Sequence, residues 1–167
     1  MTDAEREQTL ERLMDAHGDE VKRLCAMQLG DQHQAEDAAQ DTFVKAWRAL
    51  ESFRGDSGER TWLMRIAINT CRDYQRTGWF RHRKSNVAME DAPEQTQETD
   101  WTAGEVTGAM RALPGRLRTA AFLRYYQGMT ISETAHAMAV SESTVKRLMQ
   151  RANALLRRQL KGWWDDE

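Results

Sequence analysis

The segment Met129-Thr130-Ile131-Ser132-Glu133-Thr134-Ala135-His136-Ala137-Met138-Ala139-Val140-Ser141-Glu142-Ser143-Thr144-Val145-Lys146-Arg147-Leu148 reads as a short helix, a tight turn and a second, basic helix. Thr130 and Glu133 stand at capping-box spacing, where a hydroxyl accepts from a backbone N–H and a carboxylate reaches back. Ile131, Thr134, Ala135 and Met138 follow at helical spacing, forming a face of mostly small residues suited to close packing. Ser141 is placed to cap the second helix, with Val145, Leu148, Met149 and Ala152 facing inward. Glu142, Ser143, Lys146, Arg147, Gln150 and Arg151 are left pointing outward. A polar, basic outer face on the second helix suits a reader of the DNA major groove. An ordinary helical hairpin with a solvated charged face has the same pattern, so the segment alone does not decide between them.

Composition frames the rest. The 167 residues include only two prolines, with 40% hydrophobic and 30% charged residues. The expected class is all-α, with modest cores and one domain or two small helical ones. No run approaches the roughly 20 apolar residues that span a bilayer, and the N-terminus lacks a signal-peptide plan. A cytoplasmic location is expected. Cys25 and Cys71 sit inside amphipathic helical patterns and read as buried free thiols. The histidines His17, His33, His82 and His136 are scattered without metal-ligand spacing, and no phosphate loop or nucleophile motif is visible. No catalysis and no cofactor are expected.

The net charge of −2 hides an uneven distribution. Residues 1–41 hold eleven acidic and four basic side chains, whereas Arg60–Lys84 holds seven basic ones against Asp73 alone. Met89–Glu105 has six acidic and no basic residues, and Val145–Lys161 has six basic and no acidic ones. Two basic surfaces divided by an acidic stretch point to two contacts with a polyanion. Periodicity predicts helices over Ala4–Ala16, Asp19–Leu29, Gln32–Leu50 and Ser57–Thr77, the first two separated at Gly18. The last is expected to bury Leu63, Ile66, Ala67, Thr70 and Tyr74, with Trp62 also on its inner side. Ser85–Asp100 reads as a polar acidic linker. Trp101–Leu113, Pro114 as the first residue of a helix, and Gly115–Gln127 then lead into the helix-turn-helix. The expected divisions are residues 1–84, 85–100 and 101–167.

Asp37-Ala38-Ala39-Gln40-Asp41-Thr42-Phe43-Val44-Lys45-Ala46-Trp47, then Phe53-Arg54-Gly55-Asp56 and Arg60-Thr61-Trp62-Leu63-Met64-Arg65-Ile66-Ala67-Ile68-Asn69, resemble region 2 of extracytoplasmic-function (ECF) sigma factors of the sigma-70 family. Leu113-Pro114 through Arg151-Ala152 resembles region 4 of the same family. The resemblance implies two small helical domains, a four-helix region 2 and a helix-turn-helix region 4, joined by a flexible acidic linker. It implies that the helix bearing Asp37, Gln40, Asp41, Phe43, Lys45 and Trp47 docks on the clamp helices of core RNA polymerase, with Gln40, Asp41 and Lys45 giving polar contacts and Phe43 and Trp47 packing it onto its neighbours or into the core. Phe53, Arg54, Gly55, Asp56, Arg60, Arg65, Asn69, Arg72 and Arg76 would engage the promoter −10 element. There a base must be unstacked and captured at a cost of a few kcal/mol, while arginines grip phosphates. Arg76–Lys84, with Trp79 and Phe80 among its arginines, extends that basic run. Ser141, Glu142, Ser143, Thr144, Lys146, Arg147, Gln150 and Arg151 would lie at the −35 element. The resemblance further implies that the acidic linker threads the polymerase cleft and that an anti-sigma factor hides the polymerase-binding surfaces.

Two departures from the family pattern stand out. Ala139 occupies a turn position that is usually glycine, and Arg147 follows Lys146 directly where the family often has serine first, moving an arginine about 100° around the helix. Trp163-Trp164, before the acidic C-terminus, falls outside the motifs that carry the resemblance. The main rival is a two-domain helix-turn-helix regulator that is not a polymerase subunit, which leaves the Arg60–Lys84 patch unexplained. A metal-dependent helical nuclease using the N-terminal carboxylates is disfavoured because those acids lack convergent spacing.

Overall fold

A computed structural model of the chain describes residues 1–85 and 104–160. The chain divides into two units, Met1–Thr99 and Asp100–Glu167, and every described element is helical. The expected acidic linker beyond Ser85, the side chains of Trp79 and Phe80, and Trp163-Trp164 lie outside the described residues.

The first unit is built from α1 (Asp3–Leu29), α2 (Gln32–Ala49), a short 3₁₀ turn (Leu50–Ser52) and α3 (Glu59–Ser85). A capping box opens α1, with the Thr2 hydroxyl accepting from Glu5 N–H at 3.1 Å and Glu5 accepting from Thr2 N–H at 2.9 Å. The expected break at Gly18 is absent, so two predicted helices are one continuous helix and the unit has three long helices rather than four. A mid-helix glycine costs about 1 kcal/mol against alanine. Burial of Leu13, Val21, Leu24, Cys25 and Met27 on one face outweighs it. Gly30 ends α1 in the left-handed region (φ 69°), donating to Ala26 C=O, and Asp31 at once caps α2 through Gln34 N–H at 3.0 Å.

Ala35, Ala38, Ala39, Thr42 and Ala46 make the buried stripe of α2 largely one of small residues, which lets α1 and α3 approach closely. The buried Thr42 hydroxyl donates to Ala38 C=O at 2.7 Å, so its polar atom is satisfied. Leu63, Met64, Ala67, Ile68, Thr70 and Cys71 bury the inner face of α3. Ile66 and Tyr74, expected inside, are only half-buried. Both cysteines are free and buried, as their patterns required.

The second unit contains α4 (Glu105–Arg111), α5 (Gly115–Ala121), a π-helical turn (Phe122–Tyr126), α6 (Ile131–Met138) and α7 (Glu142–Gln159). Pro114 is the N-cap of α5 rather than its first helical residue, with an extended backbone (φ −60°, ψ 153°). The helix expected to run to Gln127 widens at Phe122, where Gln127 N–H donates to Phe122 C=O at 3.2 Å. Gly128 (φ 65°) then turns the chain so that Met129 N–H reaches Leu123 C=O at 2.9 Å. The Thr130–Glu133 capping box forms as read, at 3.0 and 2.8 Å. Val145, Leu148, Ala152 and Leu156 bury the inner face of α7, which packs on α5 and α6.

Ala139 closes α6 at φ 58°, the single non-glycine residue with positive φ among those described. A left-handed alanine costs roughly 1 kcal/mol, so Ala139→Gly relieves strain, offset in part by the greater freedom of glycine in the unfolded chain. The expected result is a gain of about 0.5 kcal/mol in the unfolding free energy, read by urea titration; a loss of stability would contradict the turn geometry.

Candidate functional site

Three outward faces carry the candidate residues, two on the first unit and one on the second. On α2, Asp37, Gln40 and Asp41 are exposed and Lys45 is half-buried. Phe43 is only 7% exposed, so its ring belongs to the core and to the floor of a groove, not to a protruding surface. Trp47 is held by Arg6, whose guanidinium lies 4.3 Å from the ring centroid and donates to Trp47 C=O at 2.8 Å.

The groove itself escaped the sequence reading. It runs between α1 and α2, has a volume of about 680 Å³, and is lined by the apolar Leu10, Met14, Phe43, Val44 and Trp47, by Gly18, and by the charged Asp19, Lys22 and Glu36. Met14 and Val44 are each 46% exposed along it. Gly18 lines it without a side chain, and a Cβ there would meet nothing within 4 Å. Val44 falls among the polar positions of α2, and that misplacement in the amphipathic pattern was the available signal.

On α3, Arg65, Asn69, Arg72 and Arg76 recur at helical spacing and all are exposed, forming one continuous stripe. At its head Phe53 packs on Trp62, ring centroids 4.7 Å apart, and both rings are half-exposed. The assignment of Trp62 to the core is therefore corrected: Phe53 folds back from the loop to cover one side of it and leaves the other toward solvent. Arg54, Gly55 and Asp56 form the exposed tip of that loop, with Gly55 at φ 80°.

Arg60 departs from its expected place. It lies on the far side of α3 from the stripe and pairs with Glu20 of α1, Nε and Nη2 standing 2.7 and 2.6 Å from Oε2. Together with the two-pronged Arg12–Glu59 pair (3.0 and 2.6 Å), it clamps the start of α3 to α1. Arg12 holds the Glu59 carboxyl below its ordinary range through hydrogen bonding, against a smaller opposing effect of burial.

The two faces of the first unit are joined by polar contacts between α2 and α3. The Tyr74 hydroxyl donates to Asp41 Oδ2 at 2.5 Å, and Lys45 Nζ stands 3.4 Å from Asp73 Oδ2. Burial, then the bond to Asp41, pushes the Tyr74 hydroxyl well above its ordinary pKa.

On α7, Glu142, Ser143, Lys146, Arg147, Gln150 and Arg151 are all exposed. Ser141 is occupied as the cap, accepting from Thr144 N–H at 3.1 Å. Thr144 is half-buried, and its hydroxyl accepts from Arg147 Nη2 at 3.2 Å, which orients that guanidinium. Ser141 and Thr144 thus build the N-terminus of the helix, while the other six form its free face.

Residues 13–81 match the family Sigma-70 region 2, and residues 103–156 match Sigma-70, region 4. The chain belongs to the ECF sigma-70 family. This sigma factor is 35% identical to the RNA polymerase sigma-H factor of Pseudomonas aeruginosa, over 78% of this chain and 75% of the relative. It is 32% identical to the ECF RNA polymerase sigma factor SigM of Mycobacterium tuberculosis, over 90% of this chain and 76% of the relative. Its fold is similar to that of the sigma factor RpoE of Bartonella quintana, solved in complex with the anti-sigma factor NepR (TM-score 0.73, 24% identity, 93% and 96% of the two chains).

A sigma factor directs core RNA polymerase to promoters at transcription initiation, and that is the function of this one. The rival reading as a free-standing regulator is not favoured, because region 2 accounts for the first unit. None of the described helices is long and apolar enough to cross a membrane. Among the described residues no group of three His, Cys, Asp or Glu could hold a metal ion.

Proposed function

We propose that the three faces divide the work of initiation. The outer face of α2, with Asp37, Gln40, Asp41, Lys45 and the Val44–Met14 edge of the groove, docks on the clamp helices of the polymerase. The Arg65–Asn69–Arg72–Arg76 stripe, headed by Phe53 and Trp62, tracks the −10 element. Its guanidinium groups neutralise phosphates, and the aromatic pair with the Arg54–Asp56 loop offers a surface for an unstacked base. Lys146, Arg147, Gln150 and Arg151 on α7 lie in the major groove at the −35 element.

The observation that carries this division is the exposure of all four stripe residues on one side of α3, with the α2 face presented separately. Each contact is small, and the net charge of −2 gives little general attraction to DNA. Binding by the free protein is therefore weak, and docking on polymerase raises the effective concentration of one contact for the other. The protein does no bond-making of its own and works in the cytoplasm beside the polymerase. An anti-sigma factor covering the α2 face and groove would silence it; family membership supports such a partner.

Run-off transcription with purified core polymerase and fragments of the source genome tests the proposal. Discrete start sites that need this protein, with two shared upstream elements, are expected. DNA binding by the protein alone without any new transcript would overturn it.

A further inference from the structure

Within the basic run Arg60–Lys84 there is one acidic residue, Asp73, and it borders the DNA-facing stripe. Its two carboxylate oxygens serve two cations from two helices: Oδ1 pairs with Arg76 of the stripe, and Oδ2 stands 3.4 Å from Lys45 Nζ on the polymerase-facing α2. All three side chains remain open to solvent, with Arg76 74% and Asp73 50% exposed, so nucleic acid can reach them. Asp73 Oδ1 thus gives Arg76 an anionic oxygen of the kind that a backbone phosphate would offer. The adjacent Tyr74–Asp41 bond fixes α3 against α2 and keeps Asp73 within reach of Lys45.

We propose that Asp73 is an internal phosphate mimic, a positioning residue that occupies Arg76 in the free protein and lowers its affinity for nucleic acid. This rests on the reading of the α3 stripe as a DNA contact. Lys45 holds the carboxylate in place from α2. Hydrogen bonding from Arg76, opposed by burial and aided by Lys45, holds the Asp73 carboxyl below its ordinary pKa. Exposed pairs of this kind are weak. A phosphate held at high local concentration on docked promoter therefore displaces Asp73, whereas a passing strand of arbitrary sequence does so poorly. The device discriminates against DNA met before the polymerase is engaged.

The test is the affinity of the full chain for a fluorescently labelled oligothymidylate of about 20 nucleotides, across a range of salt. Each extra phosphate contact on single strands steepens the log–log salt slope by ~0.7, which at about 50 mM salt corresponds to roughly 5- to 10-fold tighter binding. Asp73→Asn is expected to tighten binding by about 2- to 5-fold, the limit that a weak exposed pair sets, with a slope steeper by up to that increment. Arg76→Gln is expected to weaken binding, and adding Asp73→Asn to it to restore nothing in the slope. No gain from Asp73→Asn, or an equal gain with and without Arg76, overturns the mimic while leaving the stripe reading intact. Binding left unchanged by Arg76→Gln combined with Arg72→Gln overturns the stripe reading itself and the mimic with it.

Discussion

Val44→Arg is expected to abolish promoter-specific transcription while leaving the protein folded. Val44 is 46% exposed on the edge of the α1–α2 groove, so a longer side chain extends into solvent without displacing core atoms. Exposed positions on helices tolerate such exchanges within about 0.5 kcal/mol. In a docked complex the same guanidinium would thrust a bulky charge against the apolar edge formed with Phe43, Met14 and Trp47, a cost that the acidic lining residues Asp19 and Glu36 offset only in part. Desolvating a poorly paired charge against an apolar contact costs about 2 kcal/mol, which weakens core binding some 30-fold. Pull-down of core polymerase and run-off transcription should fall together, while the melting temperature and the binding of DNA by α7 stay as in the wild type. Transcription at the wild-type level by a Val44→Arg protein would show that polymerase approaches by another face.

That variant separates surface from core because α2 has two faces that differ in kind. The inner stripe is nearly all small residues, and the outer one is acidic with a single misplaced valine. Much of this was legible from spacing. The capping boxes, the Ser141 cap, the buried stripe of α7 and the burial of both cysteines all follow from local chemistry that sequence displays directly. The continuity of α1 through Gly18 was not legible, because it is decided by how much apolar surface the flanking turns bury on α2 and α3.

The same holds for Arg60 and Arg65. Both read as basic residues of one patch, yet Arg60 turns to Glu20, forty positions away in the chain, and leaves the stripe. No periodicity rule announces a pairing across that separation. Helical spacing points Trp62 inward; its setting depends on Phe53 packing back on it from the loop before α3. The groove was hidden for a related reason: it is made by two helices, and either alone shows only an exposed apolar residue, which is common on any surface.

Arg147→Ala should lower transcription from an intact promoter by about 10- to 100-fold and make the remainder indifferent to the one −35 base pair that Arg147 reads. An arginine paired with a guanine edge contributes about 1–3 kcal/mol of discrimination, and loss of that pair gives the stated range. Arg147 is the side chain of α7 best fixed for such a role, because Thr144 accepts from its Nη2 at 3.2 Å and limits its rotamers before DNA arrives. Lys146 lacks any comparable restraint in the bonds described around it, so Lys146→Ala should weaken binding evenly across sequences and flatten the salt slope by about 0.9 for duplex DNA. The two variants therefore differ in kind rather than degree, which a panel of single-base changes in the −35 element, read by run-off transcription, resolves. If Arg147→Ala retains full sensitivity to every −35 substitution, the shift of arginine to the position after Lys146 has moved it off the bases, and Gln150 or Arg151 is the reader.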